Sequence, residues 1–219
     1  MKSIFRLQRK TTKKKTWLII GDSISEHNFR VKNGRNYDYY AARKLQCKVI
    51  NVAASGTGYI TEYEGTKSWL DRIPEFPKDV DFITVFGALN DRGKVVGNFE
   101  DDQTDTLYGG LHIFYRKLIA KYPNKPIGVI TSTPRGYCWG ETGQYVDHIN
   151  AVIRVARHYS LPVLDLYSSS GLRPWNRKNN KELFSCSYSP SGDGVHLNEK
   201  GHQAIANKIY NFIKSELLY

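Results

Sequence analysis

Five short apolar runs, separated by longer stretches of helical spacing, constrain what this chain can fold into. The runs fall at residues 17–20, 48–53, 81–86, 127–131 and 161–166. Each is rich in β-branched, leucine or aromatic residues, and each ends at a glycine or a polar break, which reads as a buried strand. Strands buried on both faces are typical of a parallel sheet. The stretches between them predict helices over 36–46, 66–73, 104–122, 143–159 and 198–217. Their inner faces would carry Tyr37, Tyr40, Ala41 and Leu45 in the first, and Val146, Ile149, Ile153 and Ala156 in the fourth. The alternation predicts an α/β fold, a three-layer α/β/α sandwich around a five-stranded parallel sheet. Right-handed crossovers reduce the topology to a few choices.

No internal repeat and no linker divides the chain, and 219 residues suit one domain. Residues 88–103 read as polar and irregular. Residues 168–192 read as a polar connection, long for a compact domain, and loops of that length are usually functional or disordered.

The net charge of +11 is unevenly placed. Lys2, Arg6, Arg9, Lys10, Lys13, Lys14 and Lys15 contribute seven positive charges before Trp17, leaving 11 − 7 = +4 for the rest. Residues 1–15 are therefore set apart as a basic leader and residues 16–219 as the folded domain. The leader suits an arm for nucleic acid or another polyanion, although a solvated terminus is the simpler reading. No apolar segment of signal-peptide length follows these charges, and no run approaches a membrane span. Cys47, Cys138 and Cys186 are odd in number and form no C-x-x-C, so zinc and thioredoxin-like readings lack support. A cytoplasmic setting is the expectation.

Reactive polar groups sit at strand ends and loops. Ser23 follows the first strand in Gly21-Asp22-Ser23, Gly56 follows the second, and Asn90 follows the third. Asp193-Gly194-Val195-His196 precedes the last helix. The carboxyl ends of parallel strands share one edge, so residues far apart in sequence can meet there. A serine hydroxyl needs a base to become a nucleophile. Histidine serves near neutral pH, and a carboxylate fixes its tautomer. The N–H groups of Ser23 and Gly56 and the amide of Asn90 could receive an oxyanion. No metal or cofactor is called for. G-x-S-x-G is absent, which removes support for the α/β-hydrolase nucleophile elbow.

Taken together, these blocks resemble those of the SGNH hydrolases, the GDSL-type esterases and lipases. Gly21-Asp22-Ser23-Ile24-Ser25 matches the first block, Gly56 the second, Asn90 the third, and Asp193 to His196 the fifth. The resemblance spans residues 17–217 and implies the flavodoxin-like fold of that family. It also implies Ser23, Asp193 and His196 as a catalytic triad, and Ser23, Gly56 and Asn90 as oxyanion donors. The third block departs from the family pattern, with Ala88 where glycine often stands.

The implied activity is that of a serine esterase working through an acyl-enzyme. Tyr59, Tyr63, Trp69, Tyr137, Trp139 and Trp175 fall near the expected site edge. Packing of the loops is the simpler reading of these side chains, but flat aromatic faces also suit sugar rings, which favours an O-acetyl group on a carbohydrate. A lipid or lysophospholipid ester is the alternative substrate. A polyanion-binding protein on the same scaffold is the alternative function.

Overall fold

The computed structural model describes residues 13–27, 31, 34–136 and 145–218. In it the first apolar run becomes β1 (Thr16–Gly21), buried along nearly its whole length. Its side chains alternate between two cores, as the period of a strand requires. Trp17 and Ile19 enter one core, and Leu18 and Ile20 enter the other. Trp17 also donates its indole N–H to Thr84 Oγ1 at 2.8 Å, which satisfies two polar groups inside the sheet.

The remaining strands are β2 (Lys48–Asn51), β3 (Phe82–Gly87), β4 (Ile127–Thr131) and β5 (Val163–Leu164). They pair in the order β2-β1-β3-β4-β5, all parallel. The strand order reverses around β1, and the crevice at such a switch point is where ligands bind in open α/β sheets. Gly21 and Gly87 are the last residues of their strands rather than breaks after them. A side chain at Gly21 would come within 2.6 Å of Ser25 Oγ, so this position requires glycine.

Helices cover both faces. On one side lie α1 (Tyr37–Leu45) and α7 (Glu199–Phe212), joined through Tyr37, Ala41, Ile205 and Ile209. On the other lie α2 (Trp69–Arg72), α3 (Leu107–Lys121) and α4 (Val146–His158). Burial of each large apolar side chain in these cores stabilises the fold by about 1.5–3 kcal/mol. Thr106 caps α3 by accepting from the Gly109 N–H, and Asn198 caps α7 by accepting from the Gly201 N–H. Each cap contributes about 1 kcal/mol, and the second pins the chain two residues after His196.

Several expectations need correcting. The connection at 168–192 is not structureless. It includes the second half of α5 (Leu166–Ser169), capped by Asp165, and all of α6 (Arg177–Leu183), capped by Asn176. Helix α6 buries none of its residues, so no apolar period announces it. Residues 89–93 form a 3₁₀ turn rather than irregular chain. Val146 on α4 is exposed, and the helix instead buries His148, Ile149, Ala151, Val152, Val155 and Ala156. Leader residues 1–12, Tyr137, Cys138 and Trp139 lie outside the described residues. Cys47 and Cys186 are free thiols. Among the described residues, no helix is long and apolar enough to cross a membrane.

Candidate active site

Past β1, the carbonyl of Asp22 accepts from the N–H groups of Ser25 and Glu26, which winds residues 22–26 into one helical turn. The Asp22 carboxylate accepts from the Ile24 N–H at 2.9 Å and tightens that turn. Ser23 is thereby held at the sheet edge, part-exposed, with its hydroxyl 3.0 Å from His196 Nε2.

His196 comes from the segment just before α7. Its Nδ1 lies 2.6 Å from Asp193 Oδ2. The other oxygen of Asp193 accepts from the N–H groups of Val195 and His196 at 2.9 and 2.8 Å. The Asp193 carboxylate therefore fixes both the ring and the backbone carrying it. Burial alone would raise this carboxyl, but the His196 ring and the two N–H groups outweigh it and hold it below the usual carboxylate range. Asp193 stays ionised opposite Nδ1–H, which leaves Nε2 to accept from the serine. The left-handed backbone at Gly194, with φ of 69°, allows the tight return between the two side chains.

Gly56 and Asn90 approach from the neighbouring strands. Gly56 has φ of 76°, and a Cβ there would sit 2.2 Å from the Tyr63 ring. Asn90 rides on the 3₁₀ turn after β3. Its amide donates one hydrogen to the Thr57 carbonyl at 2.9 Å, and an amide nitrogen carries a second hydrogen. Ser23, Gly56, Asn90 and His196 line one cleft of about 270 Å³, with Asp193 behind the imidazole. The structure thus brings together all five residues expected from the sequence. A hydroxyl can pass its proton to an imidazole here, beside donors suited to a developing oxyanion.

Two buried carboxylates support this arrangement and were not assigned a role from sequence. Asp91 accepts from the N–H groups of Tyr59 and Ile60 and from Thr61 Oγ1 at 2.8, 3.1 and 2.8 Å. It ties the loop after Gly56 to the turn carrying Asn90. Burial raises its carboxyl, against the pull of those donors. Burial likewise pushes Asp22 up to about 6; the Ile24 N–H and His196 oppose this, while Asp91 adds to it. Their places beside Asn90 and Ser23 were the only sequence signal. Arg92 and Arg135 also line the cleft, and nothing in their sequence neighbourhood marked them.

The aromatic set divides. Tyr59 and Trp69 are fully buried, their rings tilted by 59° with centroids 4.8 Å apart, so they are core residues rather than a sugar platform. Trp69 donates to Thr57 Oγ1 and Tyr59 meets the Tyr115 hydroxyl, which gives both polar ends a partner. Tyr63 is exposed and lines the cleft, and Trp175 is exposed. Among the described residues, no group of three or more His, Cys, Asp or Glu is placed to hold a metal ion.

The sequence pattern of the GDSL-like lipase/acylhydrolase family matches residues 19–204. No curated protein matches the chain in sequence. Among solved structures, a protein from Lactobacillus plantarum superposes with a TM-score of 0.79 at 26% identity, covering 94% of this chain and 100% of that one. A lipase/acylhydrolase from Enterococcus faecalis follows at 0.65 and 17%, covering 93% and 97%. A two-domain esterase active on acetylated mannans gives 0.57 and 17%, covering 91% of this chain and 49% of that one. The last two likenesses concern the fold alone.

Proposed function

The chain belongs to the GDSL-like lipase/acylhydrolase family and is a hydrolase, and from this premise we propose that it is a serine esterase that cleaves a small carboxylic ester through an acyl-enzyme. The observation that carries this reading is the unbroken run Ser23 Oγ–His196 Nε2–Nδ1–Asp193, with links of 3.0 and 2.6 Å. Ser23 Oγ attacks the ester carbonyl while His196 Nε2 takes its proton. The tetrahedral oxyanion is received by the N–H groups of Ser23 and Gly56 and by the Asn90 amide. Collapse breaks the bond to the alcohol, which leaves with the proton from His196. Water then attacks the acyl-Ser23 carbonyl, giving its proton to His196. The acid departs and the serine hydroxyl is restored. Asp193 stabilises the imidazolium in both halves and is not itself protonated.

An O-acetyl group on a carbohydrate is the substrate this reading favours. A cleft of about 270 Å³ suits a short acyl group. The exposed Tyr63 in its wall offers a flat face to a sugar ring, and a neighbour of similar fold acts on acetylated mannans.

The test is rapid mixing with 4-nitrophenyl acetate, together with mass spectrometry of the protein after a fluorophosphonate. The reading expects a burst of nitrophenolate equal to the enzyme present and a single adduct on Ser23. Ser23→Ala should lose both the adduct and about 10⁴-fold or more in kcat. A folded Ser23→Ala protein that keeps a tenth of the rate would refute it.

A further inference from the structure

We propose that the face formed by α1, α7 and the turn after α7 docks an acidic polysaccharide, held by Arg43, Lys44, Lys48 and Lys214 beside Lys15; the choice of a polysaccharide rests on the carbohydrate-ester reading above. The charge of the chain is concentrated around this face. Residues 1–61 carry 13 of the 32 lysines and arginines but 3 of the 21 acids, a net of +10 that leaves +1 for residues 62–219. Those three acids are engaged. Asp22 is buried beneath Ser23, Asp38 is buried against His27, and Glu26 takes the Ser55 hydroxyl.

The cations are ordered against two tyrosines. Arg43 donates to the Tyr39 hydroxyl at 2.8 Å, and its guanidinium carbon lies 5.5 Å from the centre of that ring. Lys44 reaches from α1 to the Asn207 side chain on α7 and lies 5.5 Å from the Tyr210 ring. Lys214 approaches the same ring at 5.8 Å from the turn Ile213–Leu217. Lys48 stands three residues beyond α1, and its N–H donates to the Lys15 carbonyl at 2.8 Å. All five cations are exposed, and among the described residues none is paired with a carboxylate. The other acids of these elements have partners of their own: Glu199 meets Arg35 and Tyr40, and Glu216 meets Ser215. The carbonyl end of α1 lets the fold carry Arg43 and Lys44 there, because its partial negative charge favours cations. Both side chains keep further N–H donors for a ligand.

Partner classes leave different traces on such a face. Single-stranded nucleic acid binds through aromatic faces on which bases stack, but Tyr39 and Tyr210 already hold cations. A lipid surface takes apolar side chains into its interface. None of the exposed large apolar residues, Tyr63, Val95, Val146, Trp175 and Tyr188, belongs to this face. A hydrated polymer of fixed negative charge fits what is there. Helix α7 begins three residues after His196, so a polymer lying along it has its ester groups within reach of the cleft.

The test titrates the full chain with a labelled heparin oligosaccharide, a DNA duplex of equal charge, and vesicles containing phosphatidylglycerol. Heparin should bind most tightly, and its affinity should fall steeply with salt as counterions are released. Combining Arg43→Gln, Lys44→Gln and Lys214→Gln should weaken heparin binding roughly tenfold or more and lower the salt slope by about two to three. Combining Lys78→Gln, Arg116→Gln and Lys117→Gln removes the same charge from the α3 side of the sheet and should cost less than about twofold, because salt screens distant charge. Both variants should hydrolyse 4-nitrophenyl acetate at the unaltered rate. Should the first triple variant misfold, Lys214→Gln alone decides, with an expected loss of about two- to fivefold. Equal losses in both triple variants would assign binding to net charge, and unchanged binding in the first would assign it elsewhere in the chain. Tighter binding of the duplex or the vesicles would name another partner. Each of these results overturns the proposal and leaves the esterase reading intact. A protein that binds heparin as expected but is inert toward 4-nitrophenyl acetate would sink the esterase reading and leave the docking face standing.

Discussion

The side-chain amide of Asn90 donates to the Thr57 carbonyl at 2.9 Å, bridging the loops that follow β3 and β2. That bond orients the amide, so the second hydrogen need not reorganise when charge develops on a bound substrate. Replacing Asn90 by Ala should lower kcat by roughly 10²–10³ with little change in KM. Steady-state kinetics on 4-nitrophenyl acetate would decide. An effect confined to KM would make Asn90 a ground-state contact instead.

Asp91 acts one step behind Asn90, as a positioning residue. Its two carboxylate oxygens accept from separate N–H groups, those of Tyr59 and Ile60. In Asp91→Asn one of those N–H groups would meet an NH₂, leaving a buried donor unsatisfied at a cost of about 1–3 kcal/mol. Denaturant unfolding should register that loss. The folded fraction should also show a lower kcat at nearly constant KM, because the displaced group is the Asn90 turn. A loss of stability with kcat unchanged would confine Asp91 to structure.

Buried Asp22 and His202 should shape stability against pH in opposite senses. Burial pushes the His202 imidazole down to about 3 from 6.5, where its Nδ1 accepts the Tyr37 N–H. The unfolded chain takes up that proton first. The stability His202 contributes is thus present above pH 6.5 and is lost as pH falls, by about 1.4 kcal/mol per unit. Asp22, raised from 3.8 to about 6, contributes stability that is present below pH 3.8 and is lost as pH rises through 6. Between pH 6 and 4 the two offset each other. Asp22→Asn removes the offset, so its stability should fall relative to the unaltered protein by about 1.4 kcal/mol per unit over that interval. Urea unfolding at several pH values measures this, and parallel curves for the two proteins would contradict it.

Ala88 holds φ of 133°, a region that favours glycine, at the position where the related third block often has glycine. Such backbone costs a residue with a Cβ about 1–3 kcal/mol. In Ala88→Gly the relief opposes a lost buried methyl, about 0.8 kcal/mol, and a more flexible unfolded chain, about 0.5–1 kcal/mol. The net change should lie near zero or on the stabilising side. Ala151→Gly, buried in α4 with no strain to release, should lose about 1–2 kcal/mol. Equal losses at the two positions would show that Ala88 carries no strain.

Much of the molecule was legible before any coordinate. The three central strands follow from local apolar runs, because a buried strand needs apolar side chains on both faces whatever surrounds it, and the same signal located the edge strands β2 and β5 although they are only part-buried. Ser23, Gly56, Asn90, Asp193 and His196 were legible because parallel strands deliver their carboxyl ends to one edge, and that rule needs only the order of the elements. Other features were decided only by packing. Tyr59 and Trp69 have the same composition signature as Tyr63, yet two are core and one lines the cleft, since burial depends on what arrives from α3 and not on sequence neighbours. Helix α6 is held by its cap and by Leu183, its single apolar residue, packed part-buried against the core, so no period could reveal it. Arg135 became a cleft residue through the contact of Gly136 with Gly194, 58 positions away. The sequence alone determined the elements and their order, because those depend on short-range side-chain pattern. Only the tertiary structure decided which side chains the cleft receives, because that depends on contacts between segments distant in the chain.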